Sequence, residues 1–151
     1  RYAMCEIESL TPVSNTSFPT RISSHLKRDN LNVLVSILEQ RADMPLGTKN
    51  VIIKTSGNIQ IRDNSSNLAV LASIASSYHN KSIPGDTLFF GDVSLTGEVK
   101  RCSNYEGFIK EADRLGYRRV FVAKGCVPAR KPKNIQIVEC DTIKDVLHML
   151  F

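Results

Sequence analysis

Tryptophan is absent from this 151-residue chain, and four tyrosines and six phenylalanines bring the aromatic content to only 7%. The few rings sit mostly at apolar positions of periodic segments, so a surface that stacks bases on aromatic faces is not expected. No stretch approaches the roughly 18 consecutive apolar residues that a membrane-spanning helix needs. The amino terminus, Arg1-Tyr2-Ala3-Met4-Cys5-Glu6-Ile7, alternates rather than forming an apolar leader, which argues against export. It opens without Met in what reads as mid-strand, as a piece of a longer chain would. The four cysteines (Cys5, Cys102, Cys126, Cys140) include no CxxC pair, and His25, His79 and His148 lie near none of them. No metal site is expected, and reduced structural thiols fit a cytoplasmic protein. Also missing are the GxxxxGK[ST] phosphate loop, GxGxxG after a strand, HExxH and the GxSxG elbow. Nucleotide hydrolysis through a phosphate loop and zinc proteolysis are excluded for these residues.

What is present is an ordinary globular composition, 42% hydrophobic and 23% charged, with a net charge of +5 that is unevenly spread. Ten basic residues fall between positions 100 and 133: Lys100, Arg101, Lys110, Arg114, Arg118, Arg119, Lys124, Arg130, Lys131 and Lys133. Only Glu106, Glu111 and Asp113 oppose them, so the rest of the chain carries a slight negative balance. Two readings stay open: a surface that faces a polyanion, or solvated outer faces of one helix and one loop.

Periodicity organises the chain as mixed α/β. Tyr2–Leu10 alternates and reads as a strand, and Thr11–Ser24 reads as a loop. Leu31, Leu34, Val35 and Leu38 predict an amphipathic helix over Lys27–Arg41, ended by Pro45 and Gly47. Val51–Lys54 and Ile59–Ile61 flank Ser56-Gly57-Asn58 as a hairpin would. Asp63-Asn64-Ser65-Ser66 precedes Leu68–Tyr78, which is apolar on nearly every face and so predicts a buried helix. Thr87–Leu95 reads as one long strand, Tyr105–Leu115 as a helix ended by Gly116, Arg119–Ala123 and Ile135–Val138 as strands, and Thr142–Phe151 as a final helix. There are no repeats and no linker, so residues 1–151 are expected to form one domain.

Ser65 before a buried helix, followed by Phe90-Gly91-Asp92-Val93 and Leu95-Thr96-Gly97-Glu98-Val99, is similar to the peptidase domain of Lon proteases. A closer resemblance is to the carboxy-terminal Lon-like domain of the bacterial DNA-repair ATPase family RadA, also called Sms. It runs through Glu6–Leu10, Ile37–Arg41, Leu68-Ala69-Val70, Ala75-Ser76-Ser77, Phe89-Phe90-Gly91, Glu111-Ala112 and Leu115-Gly116-Tyr117, and so covers most of the chain. The resemblance implies an α/β (α+β) Lon-protease-like fold, a mixed sheet with packed helices. It also implies that a RecA-like ATPase region, with its ATP and Mg, lies outside these residues and that this domain carries no cofactor.

Lon peptidases use a Ser–Lys dyad, because a hydroxyl attacks poorly unless a base lies within hydrogen-bond reach. Aligned through Gly91 and Gly97, the Lon serine falls on Ser65 and the Lon lysine on Phe108. Lys110, two positions on, is rotated about 200° around a helix. The dyad is therefore degenerate. Ser65 is expected to cap the helix, alone or with Asn64 or Asp63, and the alternative is a peptidase with Ser65 as nucleophile and Lys110 as an unusual base. The resemblance implies hexamer assembly, holding of single- and double-stranded DNA, and a possible recombinase partner. Candidate phosphate contacts are Arg21, Lys100, Arg101, Arg114, Arg118 and Arg119, with Arg130, Lys131 and Lys133 in a Pro-containing loop. The chain departs from the family pattern at Thr20, at Lys27 and Asn30 before the first helix, and at Asn67, where an Asp is typical.

Overall fold

The computed structural model describes residues 4–24, 26–56 and 63–151. The elements run β1 (Ile7–Leu10), β2 (Arg21–Ser23), α1 (Arg28–Arg41), β3 (Val51–Thr55), a 3₁₀ turn (Asn64–Ser66), α2 (Asn67–His79), β4 (Thr87–Phe90), β5 (Asp92–Val93), β6 (Val99–Lys100), α3 (Tyr105–Arg114), β7 (Arg119–Ala123), β8 (Gln136–Cys140) and α4 (Ile143–Leu150). The fold is mixed α/β, as the periodicity requires.

Among the described residues the strands form three small sheets, the first of them mixed. β1 pairs antiparallel with β3, which pairs parallel with β2. β4, β7 and β8 form a parallel sheet in that order, and β5 and β6 an antiparallel ribbon. The expected long strand Thr87–Leu95 is broken at Gly91, whose N–H and C=O are taken by the start of α2 instead of by a ladder. The expected loop Thr11–Ser24 contains β2, a three-residue strand too short to show alternation and held by its pairing to β3. Tyr2 and Ala3 of the first expected strand, and the arm Ile59–Ile61 of the expected hairpin with its turn residues Gly57 and Asn58, lie outside the described residues.

One continuous apolar core joins the layers. α1 contributes Leu31, Leu34, Val35, Ile37 and Leu38 from a single stripe. α2 is buried at Leu68, Val70, Leu71, Ala72, Ile74 and Ala75, so three of its sides are covered, by β1, by β4 and β5, and by α1 and α4. Its fourth side is a line of small residues, Ser66, Ala69, Ser73 and Ser76, that is only half-buried. β7 is buried from Val120 to Ala123, as the middle strand of a covered parallel sheet should be. Full burial of each Leu or Ile side chain contributes about 1.5–3 kcal/mol.

α2 and β1 are also joined by hydroxyls. Ser9 and Ser73 Oγ atoms are 2.6 Å apart, Thr11 Oγ1 and Ser77 Oγ are 3.1 Å apart, and Ser73 donates to the Ile7 carbonyl at 3.1 Å. At Gly97, φ is +86°, and a Cβ there would sit 2.9 Å from Arg41 Cβ. Only glycine serves in this turn, which Arg41 Nε braces through the Leu95 carbonyl at 3.0 Å.

The starts of α1 and α4 differ. α4 has a full capping box, with Thr142 accepting from Asp145 N–H and Asp145 accepting from Thr142 N–H. α1 begins after Lys27, whose side chain makes no cap. A cation at a helix amino terminus also opposes the dipole. Lys27→Asp should therefore stabilise the chain by about 1 kcal/mol, raising Tm by roughly 2–4 °C in a thermal melt. An unchanged Tm would count against this account of the α1 terminus.

Candidate functional site

The start of α2 is fixed by a short set of bonds. Asp63 Oδ1 accepts from the Ser65 N–H at 3.0 Å, so Asp63, not Ser65, supplies the cap. Asp63 stands in extended backbone, the conformation an N-cap residue needs. The Ser65 carbonyl accepts from Gly91 N–H at 2.9 Å, and Gly91 O accepts from Leu68 N–H at 3.0 Å. A Cβ on Gly91 would stand 3.3 Å from the Lys100 carbonyl and 3.7 Å from Leu68 Cδ2, so the crossing leaves little room for one. Asn67 Nδ2 donates to Asp92 Oδ1 at 2.8 Å. An Asp at position 67 would set two carboxylates face to face, and the Asn removes that repulsion.

Ser65 is buried, and among the described residues its hydroxyl has no hydrogen-bond partner. On α3, Phe108 sets its ring 4.4 Å from that of Phe90. Ile109 and Ala112 are buried beside it, while Lys110 is exposed. Phe108 itself is half-buried and reaches an open groove, not the closed core its place in the stripe suggests. Among the described residues no base is hydrogen-bonded to Ser65, and Phe108, where the resemblance expects the lysine, packs on Phe90.

The candidate cations are not gathered into one patch. β7 and β8 are parallel and in register from Arg119↔Gln136 to Ala123↔Cys140, which separates the two ends of that sheet. Arg114, Arg118, Arg119 and Lys133 gather at the end where β7 and β8 begin. There Gln136 N–H bonds the Arg118 carbonyl, and Lys133 N–H bonds Asp113. Lys100 ends β6 and Arg101 follows it at the opposite end, beside Asp141, whose carbonyl accepts from Val99 N–H. Arg130 and Lys131 are exposed in the loop between. Arg21 stands apart in β2, its guanidinium donating to the carbonyls of Lys49 and, at 3.0 Å, Leu46. Those bonds occupy the fork that a phosphate would need.

Several of these charges already have partners. Arg114 holds Glu111 in a two-pronged pair at 2.6 and 3.0 Å, Lys100 meets Glu98 at 3.2 Å, and Arg118 lies 3.9 Å from Asp86. Such exposed pairs are weak and exchange readily. Arg101 lies over Tyr105 at 5.6 Å and Arg119 over Phe121 at 5.0 Å. These two, with Arg130, Lys131 and Lys133, have no ion pair among the described residues.

Asp113 is a residue that the sequence did not disclose. Its carboxylate accepts three consecutive backbone N–H groups, from Lys133, Asn134 and Ile135, each at 2.9 Å. They lie 20 to 22 positions away, beyond the range of any local pattern. The bonds from Lys133 and Asn134 lead in holding its pKa below the ordinary 3.8. The basic loop is thus tied to the end of α3.

All four cysteines are free. Burial raises each thiol pKa and, with Asp145, Asp141 and Glu139 nearby, pushes Cys140 up to about 12. They are neutral thiols, unsuited to nucleophilic work. Among the described residues no group of His, Cys, Asp and Glu could hold a metal ion, and no helix is long and apolar enough to cross a membrane.

The fold defines the class as a mixed α/β domain. Comparison with known proteins then gives the relationship. No family model matches the chain. The DNA repair protein RadA of Streptococcus pneumoniae (strain ATCC BAA-255 / R6) is 30% identical over 152 residues, covering 100% of this chain and 36% of that protein. That of Bacillus subtilis (strain 168) is 31% identical over 150 residues, 97% of this chain and 32% of the relative. That of Pseudomonas aeruginosa PAO1 is 28% identical over 151 residues, 100% and 33% respectively. The chain is homologous over its whole length to a part of DNA repair protein RadA, and spans about one third of the length of these curated relatives.

A carboxylate whose folded pKa is depressed adds stability above its unfolded value, and that stability disappears as pH falls through the folded one. The Asp113 tether should therefore hold at neutral pH and loosen below about pH 3.8. Asp113→Ala should cost about 1–2 kcal/mol at pH 7, less than three buried bonds would because the site is open to solvent. Urea unfolding at pH 7 and pH 3 checks this: the deficit of the variant should shrink at the lower pH. Equal deficits would remove the ionised tether from the account.

Proposed function

We propose that the chain is the carboxy-terminal Lon-like domain of a RadA-type DNA repair protein, and that it acts in assembly and sequence-independent DNA holding, not in catalysis. The observation that supports the non-catalytic part is the pairing of Phe108, at the expected lysine position, with Phe90, while the hydroxyl of buried Ser65 has no partner among the described residues. The DNA-repair part is supported by similarity along the whole chain to proteins named DNA repair protein RadA.

In this reading the ATPase lies in a RecA-like region outside these residues, with its ATP and Mg. The domains assemble as a homo-hexamer in the cytoplasm, with single- or double-stranded DNA as ligand and a recombinase as a possible partner. Binding rests on phosphate contacts from Arg114, Arg118, Arg119 and Lys133 at one end of the parallel sheet and from Lys100 and Arg101 at the other. Nothing in that set reads base edges, so the binding is sequence-tolerant and salt-sensitive.

Fluorescence anisotropy of labelled single- and double-stranded DNA across a salt series, alongside light-scattering mass, tests the reading. The affinity of the assembled oligomer should fall steeply with salt. It should drop about tenfold or more in Arg118→Glu/Arg119→Glu and stay unchanged in Ser65→Ala. An assembled oligomer that binds no DNA at low salt would sink the DNA-holding role. Casein or self-cleavage abolished by Ser65→Ala would restore the peptidase.

A further inference from the structure

The two faces of the sheet β1–β3–β2 differ in what covers them. Successive side chains of a strand point to opposite sides, so the register sorts the strand residues into two sets. Ser9, Val51, Ile53 and Thr55 belong to the inner set: Ser9 meets Ser73 of α2, and the three β3 residues are buried. Glu8, Leu10, Ile22, Ile52 and Lys54 form the outer set. There Leu10, Ile52 and Ile22 line up in one row across all three strands. Leu10 is 63% and Ile22 53% exposed, and Ile52 between them is half-buried. The loop that runs from Leu10 round to Ile22 carries Phe18, 85% exposed. A solvated sheet face is ordinarily polar, and the centre of this one is apolar.

Two observations point to a second copy of this chain as the occupant. The first is area. These four side chains present on the order of 400 Å² of apolar surface. A standard interface takes about 800 Å² from each partner, of which somewhat more than half is apolar. The row and its loop supply that share for one side of a dimer. The second is charge. Glu8 and Lys54 are the charged strand residues of this face, they stand opposite each other in register, and neither has an ion pair among the described residues. One acid and one base balance on a chain whose net charge is +5. Two such chains meet here with little repulsion, and a polyanion finds no surplus of cations.

We propose that this face docks on the same face of a second copy in a two-fold, sheet-on-sheet contact. Sheets packed face to face keep their strands within about 30° of each other. A two-fold axis along the strands, between β1 and β3, sets Leu10 of each copy over Ile52 of the other and Glu8 of each against Lys54 of the other. Each pairing then occurs twice, as in any isologous contact. Such a contact closes on itself, so it joins chains in pairs or one ring to another. It is separate from the head-to-tail contacts of a ring and does not rest on the DNA-holding role.

Sedimentation velocity and light-scattering mass of the 151-residue chain across a concentration series test the contact. The wild type should form a concentration-dependent species of even copy number, and Leu10→Glu/Ile22→Glu should halve its mass. Both side chains are more than half exposed, so these changes leave the core intact. Glu8→Lys and Lys54→Glu each set like charges against one another across the axis and should weaken association about tenfold or more. The double swap Glu8→Lys/Lys54→Glu restores opposite charges and should recover the wild-type mass, which docking on any other surface of the chain would not give. A wild type that stays monomeric at the highest concentration overturns the proposal, as does a double swap no better than the single changes. A hexamer whose mass none of these variants alters overturns the two-fold contact alone and leaves the ring assembly standing.

Discussion

The rest of the structure hangs on the crossing at Gly91. There the first turn of α2 and the end of β4 exchange backbone bonds, Gly91 N–H to Ser65 O and Leu68 N–H to Gly91 O. Each bond contributes a net 0.5–1.5 kcal/mol, and leaving either group buried and unpaired would cost about 1–3 kcal/mol. The exchange ends the β4 ladder, turns the chain into the β5–β6 ribbon and brings Asp92 under Asn67. It also holds α2 between two sheets that do not pair with each other. A Cβ added at position 91 would stand 3.3 Å from the Lys100 carbonyl, a tight fit.

That crossing explains which parts of the fold were legible in sequence. Elements defined by their own periodicity were read closely: α1 began one residue from its expected start, β7 matched Arg119–Ala123, and α4 followed its Thr142 cap. Elements defined by a distant partner were not. β2 exists because β3 is beside it, and three residues hold too little pattern to announce it. Thr87–Leu95 carries unbroken strand propensity, yet the break is imposed by a helix start some twenty-five positions earlier. The same limit applied to the site. The residue type at position 108 is a local fact that sequence states outright, whereas its packing on Phe90 is set by a distant strand. The choice of Asp63 over Ser65 as the cap depends on which acceptor faces the N–H, and a run of four capping residues hides that.

At Ser65 the bonds that serve the crossing are made by the backbone. Its N–H goes to Asp63 and its carbonyl to Gly91. Substitution of the hydroxyl leaves those bonds in place, because neither involves the side chain. The α2–β1 seam is a different device. Its bonds run between side-chain hydroxyls, which rotate to suit either donor or acceptor, so the helix can settle against the strand with its polar groups satisfied.

The Asp113 tether has a bearing on how a mobile cationic loop becomes a usable one. An untethered loop of lysines and arginines must give up backbone freedom each time it meets a ligand, at roughly 1–2 kcal/mol per residue fixed. Three bonds to one carboxylate fix the backbone of Lys133, Asn134 and Ile135 at folding, before any encounter. The acid also sits among the bases without neutralising them, since it is spent on main-chain N–H groups and not on a guanidinium. A single negative charge thereby does for the loop what rigidity does for a preorganised binder: the entropy is lost once, and every later encounter is spared it.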